Sequence, residues 1–568
     1  MIHARPQRGV PAVVAVVLSA AVARAQWLEP QVAPLLEIVS PTTQDAFGWL
    51  VRSIGDVNGD GVPDLVTCAP LNGSGASAGG LVSARSGSNG AVLWSRAEPL
   101  TSAILGYSLE TLDWNHDGVL DVLAAAPFNG ADGGFVRVLS GVDGALLHTF
   151  DSGVAAESFG ASIALGGDWN GDGVDDIAIG AAGHDVPAPE TGRVYVYSGV
   201  GGALLAEIAA PPASAGELEF GFGLCFVRDV STPADGRDEL IVGRRGAVFP
   251  AGRAIALENT GAAVNVLYDI AVAADYNLQG NRFASGGDID GDGSADFVVG
   301  SNVANVARVY SARNGALVRE FTTMGPAGSG GVAQLIHDLD ADGCSDVLVG
   351  ERGDDSGASN AGRALIYSGR SGALLASMTS TLANRRFGAQ VAVLHDHDDD
   401  GALDVVLSGA GGGTSGPPAG SLVVLRGAPS VATYCTSKLS SSGCSPAIEG
   451  LGIPSLRAPG AFALATQGLE ANTSALSFFS LAAGSPTPFR GGWYCVGTPV
   501  ARLPLRSSGG LAVCSGSIGY TLADVLATPA GAANVVAGQH LHVQTWGRDA
   551  GDPFGVSLSD AVRLIVAP

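Results

Sequence analysis

The chain has 568 residues, of which 83 are glycine, 46% are hydrophobic and only 15% are charged. That mixture suits many short strands joined by tight turns, in two or more domains, and excludes a disordered chain or a coiled coil. The formal net charge of −24 excludes nucleic acid as a partner, because such binding needs a basic footprint.

At the N-terminus, Arg5 and Arg8 precede an apolar run from Val10 to Val22 that is too short to span a bilayer. Ala23-Arg24-Ala25 then places small residues at both cleavage-determining positions. Residues 1–25 read as a signal peptide, with Gln26 the first mature residue. No later stretch reads as a transmembrane anchor. The expected location is secreted or extracellular, or else periplasmic or cell-surface associated.

From residue 26 to 429 the chain repeats itself. A nine-residue loop carries Asp56, Asn58, Asp60, Val62 and Asp64 at its odd positions. It recurs with Asp113, Asn115, Asp117, Val119 and Asp121, and with Asp168, Asn170, Asp172, Val174 and Asp176. Further copies carry Asp288, Asp290, Asp292, Ser294 and Asp296; Asp338, Asp340, Asp342, Cys344 and Asp346; and Asp396, Asp398, Asp400, Ala402 and Asp404. A degenerate copy, two residues longer, holds Asp229, Ser231, Asp235 and Glu239. The loops start 50 to 61 residues apart, a period that suits four strands per repeat.

Each loop is followed by a short apolar run such as Asp64-Leu-Val-Thr, which suits a buried strand. A Gly-led alternating segment comes next, as in Gly192-Arg-Val-Tyr-Val-Tyr, and its period of two marks a strand with one buried face. A last strand, as in Gly144-Ala-Leu-Leu, ends the repeat. The third strand occurs seven times but the fourth follows only six of them. The missing copy is read at Pro34 to Val39, so this N-terminal segment is expected to complete the last sheet and close a seven-bladed β-propeller.

The loops suit a hard cation. Ca²⁺ takes six to eight oxygen ligands; positions 1, 3 and 5 offer side-chain oxygens, position 7 a backbone carbonyl, and the acid at position 9 closes the site. Position 6 is glycine in all seven loops, where the chain must turn sharply. An EF-hand would need its closing Glu at position 12, where Thr67, Ala124 or Ile179 stands, and helices on both sides. Asp, Asn and Gly also favour turns that need no metal. Yet half of the chain's 54 acidic residues fall in these loops, and at such spacing they repel one another without a cation. The expectation is about six structural Ca²⁺, with the stretched 229–239 loop a weaker metal site.

These repeats resemble FG-GAP repeats, the units of the integrin α-chain β-propeller and of many secreted bacterial proteins. The resemblance rests on Phe47-Gly48, the Asp56 to Asp64 loop and Cys68-Ala69-Pro70, and it covers about 34 to 427. It implies Ca²⁺ in hairpin loops on one face and partner binding on the other. Gly243-Arg-Arg and Gly350-Glu-Arg depart from the Gly-Ala-Pro element, and Val332-Ala-Gln stands in place of a Phe-Gly pair.

Residues 430–568 lose the acidic loops and gain four cysteines. Short apolar strands between Gly, Pro and Ser turns suggest a small β-sandwich-like domain. Sequence proximity favours disulfides Cys435–Cys444 and Cys495–Cys514, although four cysteines allow three pairings. The region resembles tail domains of secreted bacterial FG-GAP proteins.

No catalytic constellation stands out. Gly75-Ala-Ser77-Ala-Gly79 has a nucleophile-elbow pattern but lies between strands, where no strand-to-helix turn is expected. His540 and His542 share a strand face and lack a third ligand. His395 and His397 read as solvated, and Trp114 and Trp169 as packing beside the loops or stacking on sugars. The favoured function is a monomeric, non-enzymatic binding or adhesion protein for an extracellular protein or glycan. The alternative is an extracellular hydrolase or lyase acting on polysaccharide or phosphoester.

Overall fold

The computed structural model describes residues 34–566 except 129–132, 186–190, 212–216, 232–233, 247–251, 273–282, 302–305, 323–331, 340–342, 395–396, 398–403, 410–418, 426–430, 435–436, 452–455, 457–458, 461, 511 and 536–539. The signal-peptide reading of 1–25 lies outside these residues.

Seven four-stranded antiparallel sheets fill the repeated region. Sheet 1 runs Val51–Gly55, Asp64–Ala69, Leu81–Arg85 and Val92–Ala97, each strand paired to the next. Sheets 2 to 6 repeat this order from Leu109 to Phe150, Phe159 to Ala209, Glu217 to Val272, Phe283 to Thr322 and Val332 to Thr379. Burial explains the sequence pattern. The second strand of sheets 1, 2, 3, 6 and 7 is buried along its whole length, so it is apolar on both faces. The fourth strands alternate or lie open; Leu146, Leu204, Leu317 and Leu374 on them are each about half exposed.

Sheet 7 contains Gln390–Leu394, Asp404–Gly409, Ala419–Leu425 and, as its outer strand, Pro34–Thr43 from the other end of the chain. Glu37 stands opposite Val423 and Ile38 opposite Leu422. A separate hydrophobic cluster lies between each pair of successive sheets. A further one joins sheet 7 to sheet 1, packing Ile38, Leu394, Val406 and Leu422 with Val51, Leu65 and Ala69. The sheets therefore form a closed ring.

Two local features lock neighbouring sheets. The phenylalanines of the Phe-Gly pairs (Phe47, Phe159, Phe220, Phe387) are buried, and the glycines after them have φ of +81° to +93°, a conformation that favours glycine. In three loops the residue at position 2 packs beneath the turn between third and fourth strands of the next sheet. Trp114 meets Gly202, Ile289 meets Gly369, and His397 meets Gly87 across the seam between sheets 7 and 1. His397 is thus buried, not solvated, and its Nε2 lies 3.0 Å from the Gly87 carbonyl. Trp169 is also in the core, while half-buried Trp114 stacks on His148.

Beyond Val431, one sheet contains Val431–Tyr434, Val556–Ile565, His540–Arg548, Ser474–Ser480 and Ala501–Arg502, and another contains Ala447–Leu451, Ala463–Leu469 and Gly516–Thr521. Residues of both contribute to one core, with Ile448, Leu464 and Tyr520 from the smaller sheet and Phe479, Leu541 and Val562 from the larger. Two short helices follow the smaller sheet: Leu522–Leu526, whose N-cap Thr521 forms a capping box with Asp524, and Pro529–Asn534, capped by Thr528. Arg563 reaches the Leu339 carbonyl and ties this region to sheet 6. The disulfide joins Cys444 to Cys514, which corrects both pairings drawn from sequence proximity. Cys495 is also disulfide-bonded, and Cys435 lies outside the described residues. Among the described residues no helix is long and apolar enough to cross a membrane.

Candidate metal centres

The acidic loops link first to second strands, so they all lie at one end of the ring. Among the described residues they share one internal scaffold. The position 1 carboxylate accepts the N–H of position 6: Gly61, Gly118, Gly173, Gly236, Gly293 and Gly343 donate to Asp56, Asp113, Asp168, Asp229, Asp288 and Asp338 at 2.7–3.0 Å. Those glycines have φ of +81° to +88°, which a side chain would strain. The position 5 carboxylates of Asp60, Asp117, Asp172 and Asp292 accept the N–H of Val62, Val119, Val174 and Ser294. Asp60 is held below the usual carboxylate range, first by the Ser88 hydroxyl and then by the Val62 N–H.

The acid at position 9 starts the second strand and is fully buried in every described nine-residue loop. One of its oxygens accepts N–H groups from positions 2 or 3, as Val57 and Asn58 donate to Asp64. In sheets 1, 2, 3 and 6 the other accepts the N–H of a glycine in the next turn, namely Gly87, Gly141, Gly199 or Gly369. Position 9 is therefore a strut between loop and turn as well as a candidate ligand. The role of these glycines escaped the sequence reading, although a recurring Ser-Gly after the third strand marks them.

In the 288–296 loop, single carboxylate oxygens of Asp288, Asp290 and Asp296 lie within 4.8 Å of one another. Ligands on opposite sides of a Ca²⁺ ion stand about 4.6–5.2 Å apart, so this spacing fits such an ion. Burial, with the charges of Asp290, Asp288 and Asp292, pushes the Asp296 carboxyl up to about 7. Burial and the nearby Asp172 and Asp168 push Asp176 up to about 6. Burial is the larger cause of both shifts, and the neighbouring charge adds to it; a bound cation would offset that added repulsion.

The 229–239 loop differs. Glu239 replaces the position 9 aspartate, accepts the Val230 N–H, and is pushed up to about 7 by burial. Arg237 pairs with Asp235 at 3.2 Å and donates to the Asn170 carbonyl in the neighbouring loop. Asp238 accepts the N–H of both Asp168 and Asp229. This loop carries its own cation, and Ser231 bonds to Asp229. Asp340, Asp342, Asp396, Asp398, Asp400 and Ala402 lie outside the described residues, while Cys344 is buried and accepts from Arg370.

At the opposite end of the ring, Glu98 pairs with Arg137, Glu157 with His184 and Glu351 with Arg363 at 2.7–2.9 Å. Trp49, Tyr107 and Phe128 gather there, with ring centroids 6.1 and 5.1 Å apart, and Phe128 is 41% exposed. A cavity of about 220 Å³ is lined mostly by first-strand residues such as Leu224, Phe226 and Val391, with Arg52 among its polar groups. The Arg52 guanidinium is held by Glu110 at 2.7 Å. Ser77 lies in the connection between second and third strands of sheet 1, with no helix beside it. His542 is buried in its strand.

A family model described as FG-GAP repeat matches residues 47–84 and 159–197. The chain is 31% identical over 247 residues to integrin alpha-V of Gallus gallus, covering 40% of this chain and 23% of that one. It is 28% identical over 231 residues to integrin alpha-5 of Xenopus laevis, covering 38% and 22%. Against integrin alpha-3 of Mus musculus it is 37% identical over 115 residues, covering 18% and 10%. The chain thus spans less than a quarter of the length of these curated relatives. A solved structure of the Dos1 propeller aligns at TM-score 0.36 and 11% identity, covering 64% of this chain and 75% of that one. Two segments of the repeated region thus match the FG-GAP repeat, and the chain is similar in sequence to part of the integrin alpha chains.

Proposed function

We propose that the chain is a secreted, calcium-stabilised seven-bladed β-propeller, followed by a smaller β-rich domain from residue 430, that binds an extracellular protein or glycan. Calcium is supported by the converging carboxylates of Asp288, Asp290 and Asp296. Binding draws support from the integrin-alpha similarity and above all from the aromatic group at the end of the ring away from the acidic loops. Trp49, Tyr107 and Phe128 stand there, with Leu71, Leu100 and Val154 exposed in connections at the same end. Tyr107 is buried and Trp49 half-buried, so Phe128 is the exposed member of the aromatic group, and exposed apolar patches mark interaction sites.

The test is a glycan array and a panel of immobilised cell-surface proteins, probed with calcium-loaded protein, with Phe128→Ser and with chelated protein. A ligand that the loaded protein binds, and that Phe128→Ser loses with an unchanged melting curve, is the expected outcome. Equal binding by the variant or by the chelated chain would contradict the proposal.

A further inference from the structure

The 288–296 loop departs from the 56–64, 113–121 and 168–176 loops at two places that bear on a cation, the second of which (Asp at position 3) it shares in sequence with the 338–346 and 396–404 loops. The first is the turn after the third strand. In sheets 1, 2, 3 and 6 a glycine there donates its N–H to Oδ1 of the position 9 aspartate, at 2.9–3.1 Å. The approach is so close that a Cβ on Gly87, Gly141, Gly199 or Gly369 would overlap the carbonyl oxygen of Pro63, Leu120, Asp175 or Ser345. Sheet 5 has Ala312 at this place, which carries that Cβ. Oδ1 of Asp296, on a side chain with no exposed surface, accordingly has no hydrogen-bond partner.

The second is position 3. Asn58, Asn115 and Asn170 use their amide groups as donors to Asp64, Asp117 and Asp172 at 2.8–3.1 Å. Asp290 replaces the amide with a carboxylate, which has no proton to donate when ionised. The loop thereby loses an internal donor and gains a negative charge. Arg313 donates to Ser294 and lies 3.7 Å from Asp292, but it is half exposed, so solvent screens its charge.

We propose that the 288–296 loop is the tightest calcium site of this chain and the one on which its fold depends most. Ala312 withdraws the backbone donor found in sheets 1, 2, 3 and 6, and Asp290 the amide donor found in the 56–64, 113–121 and 168–176 loops, which leaves a bound cation to satisfy these oxygens. The proposal rests on the calcium reading above and adds a rank order to it.

The experiment is a calorimetric Ca²⁺ titration of chelator-stripped protein, with thermal melting of each variant in EDTA and in Ca²⁺. Ala312→Gly restores the turn found in four other sheets. It should weaken the tightest class of sites by roughly tenfold or more and raise the melting temperature of the metal-free form. That second effect is one a merely damaging substitution would not produce. Asp290→Asn should weaken the same class, while Asp60→Asn in the 56–64 loop should leave it intact. A tightest class unchanged in Ala312→Gly, or lost in Asp60→Asn, would overturn the rank order while leaving calcium binding in place. Wild-type protein that takes up no Ca²⁺ would overturn the calcium reading itself, and the rank order with it.

Discussion

The glycines beneath the position 9 acids show how little room one residue has. Gly199 gives its N–H to Asp176, and a Cβ there would overlap the Asp175 carbonyl oxygen. Gly199→Ala should cost about 2–4 kcal/mol, combining overpacking with loss of a buried carboxylate's donor, read as a lower urea midpoint in the presence of Ca²⁺. Protonation offers a second test. Burial first, and neighbouring carboxylates second, push Asp296 up to about 7 and Asp176 up to about 6, both above their ordinary value of 3.8. Between about pH 4 and 7 the metal-free fold therefore binds protons that the unfolded chain releases, so its stability falls as pH rises through that window. Melting in EDTA should be higher at pH 5 than at pH 7.5, and excess Ca²⁺ should remove or reverse the difference. These residues were only partly legible in the sequence. The ligand pattern could be read from the loop itself. The turn glycine lies 20 to 23 residues downstream of its aspartate, and Arg237 becomes a counter-charge only once its loop has folded onto Asp235.

Elements were more legible than their contacts. Period-two alternation and apolar runs locate most strands of the repeats, because burial on one face or both leaves a direct mark in the sequence. The disulfide left none. Cys444 and Cys514 are 70 residues apart in the chain with Cα atoms at 5.2 Å, so proximity in sequence was the wrong guide. Cys514→Ser should destabilise the C-terminal sheets by about 2–4 kcal/mol, and hydrogen exchange should show the loss there while the ring stays protected. The short helix at Leu522–Leu526 was also missed, although Thr521-x-x-Asp524 is a capping signal. Such a short helix gains more from packing Leu522 and Val525 into the core than from its own propensity.

At the scale of the whole molecule, closure distinguishes this ring from an open array. The Pro34–Thr43 strand pairs with Ala419–Leu425, and Ile38 packs against both Leu422 and the turn glycine Gly90 of sheet 1. Ile38→Ala should cost about 2–4 kcal/mol, and the amides of Ala419–Leu425 should lose hydrogen-exchange protection before those of sheet 3. Closure alone does not explain why so many carboxylates crowd one end of the ring; the proposed calcium would. The most direct test is thermal melting of the protein in excess EDTA and again after Ca²⁺ is restored. Calcium stabilisation predicts a fall of more than about 10 °C in EDTA, since ligands that bind only the fold stabilise it by mass action at each site, and full recovery with Ca²⁺. Superimposable melting curves would contradict it.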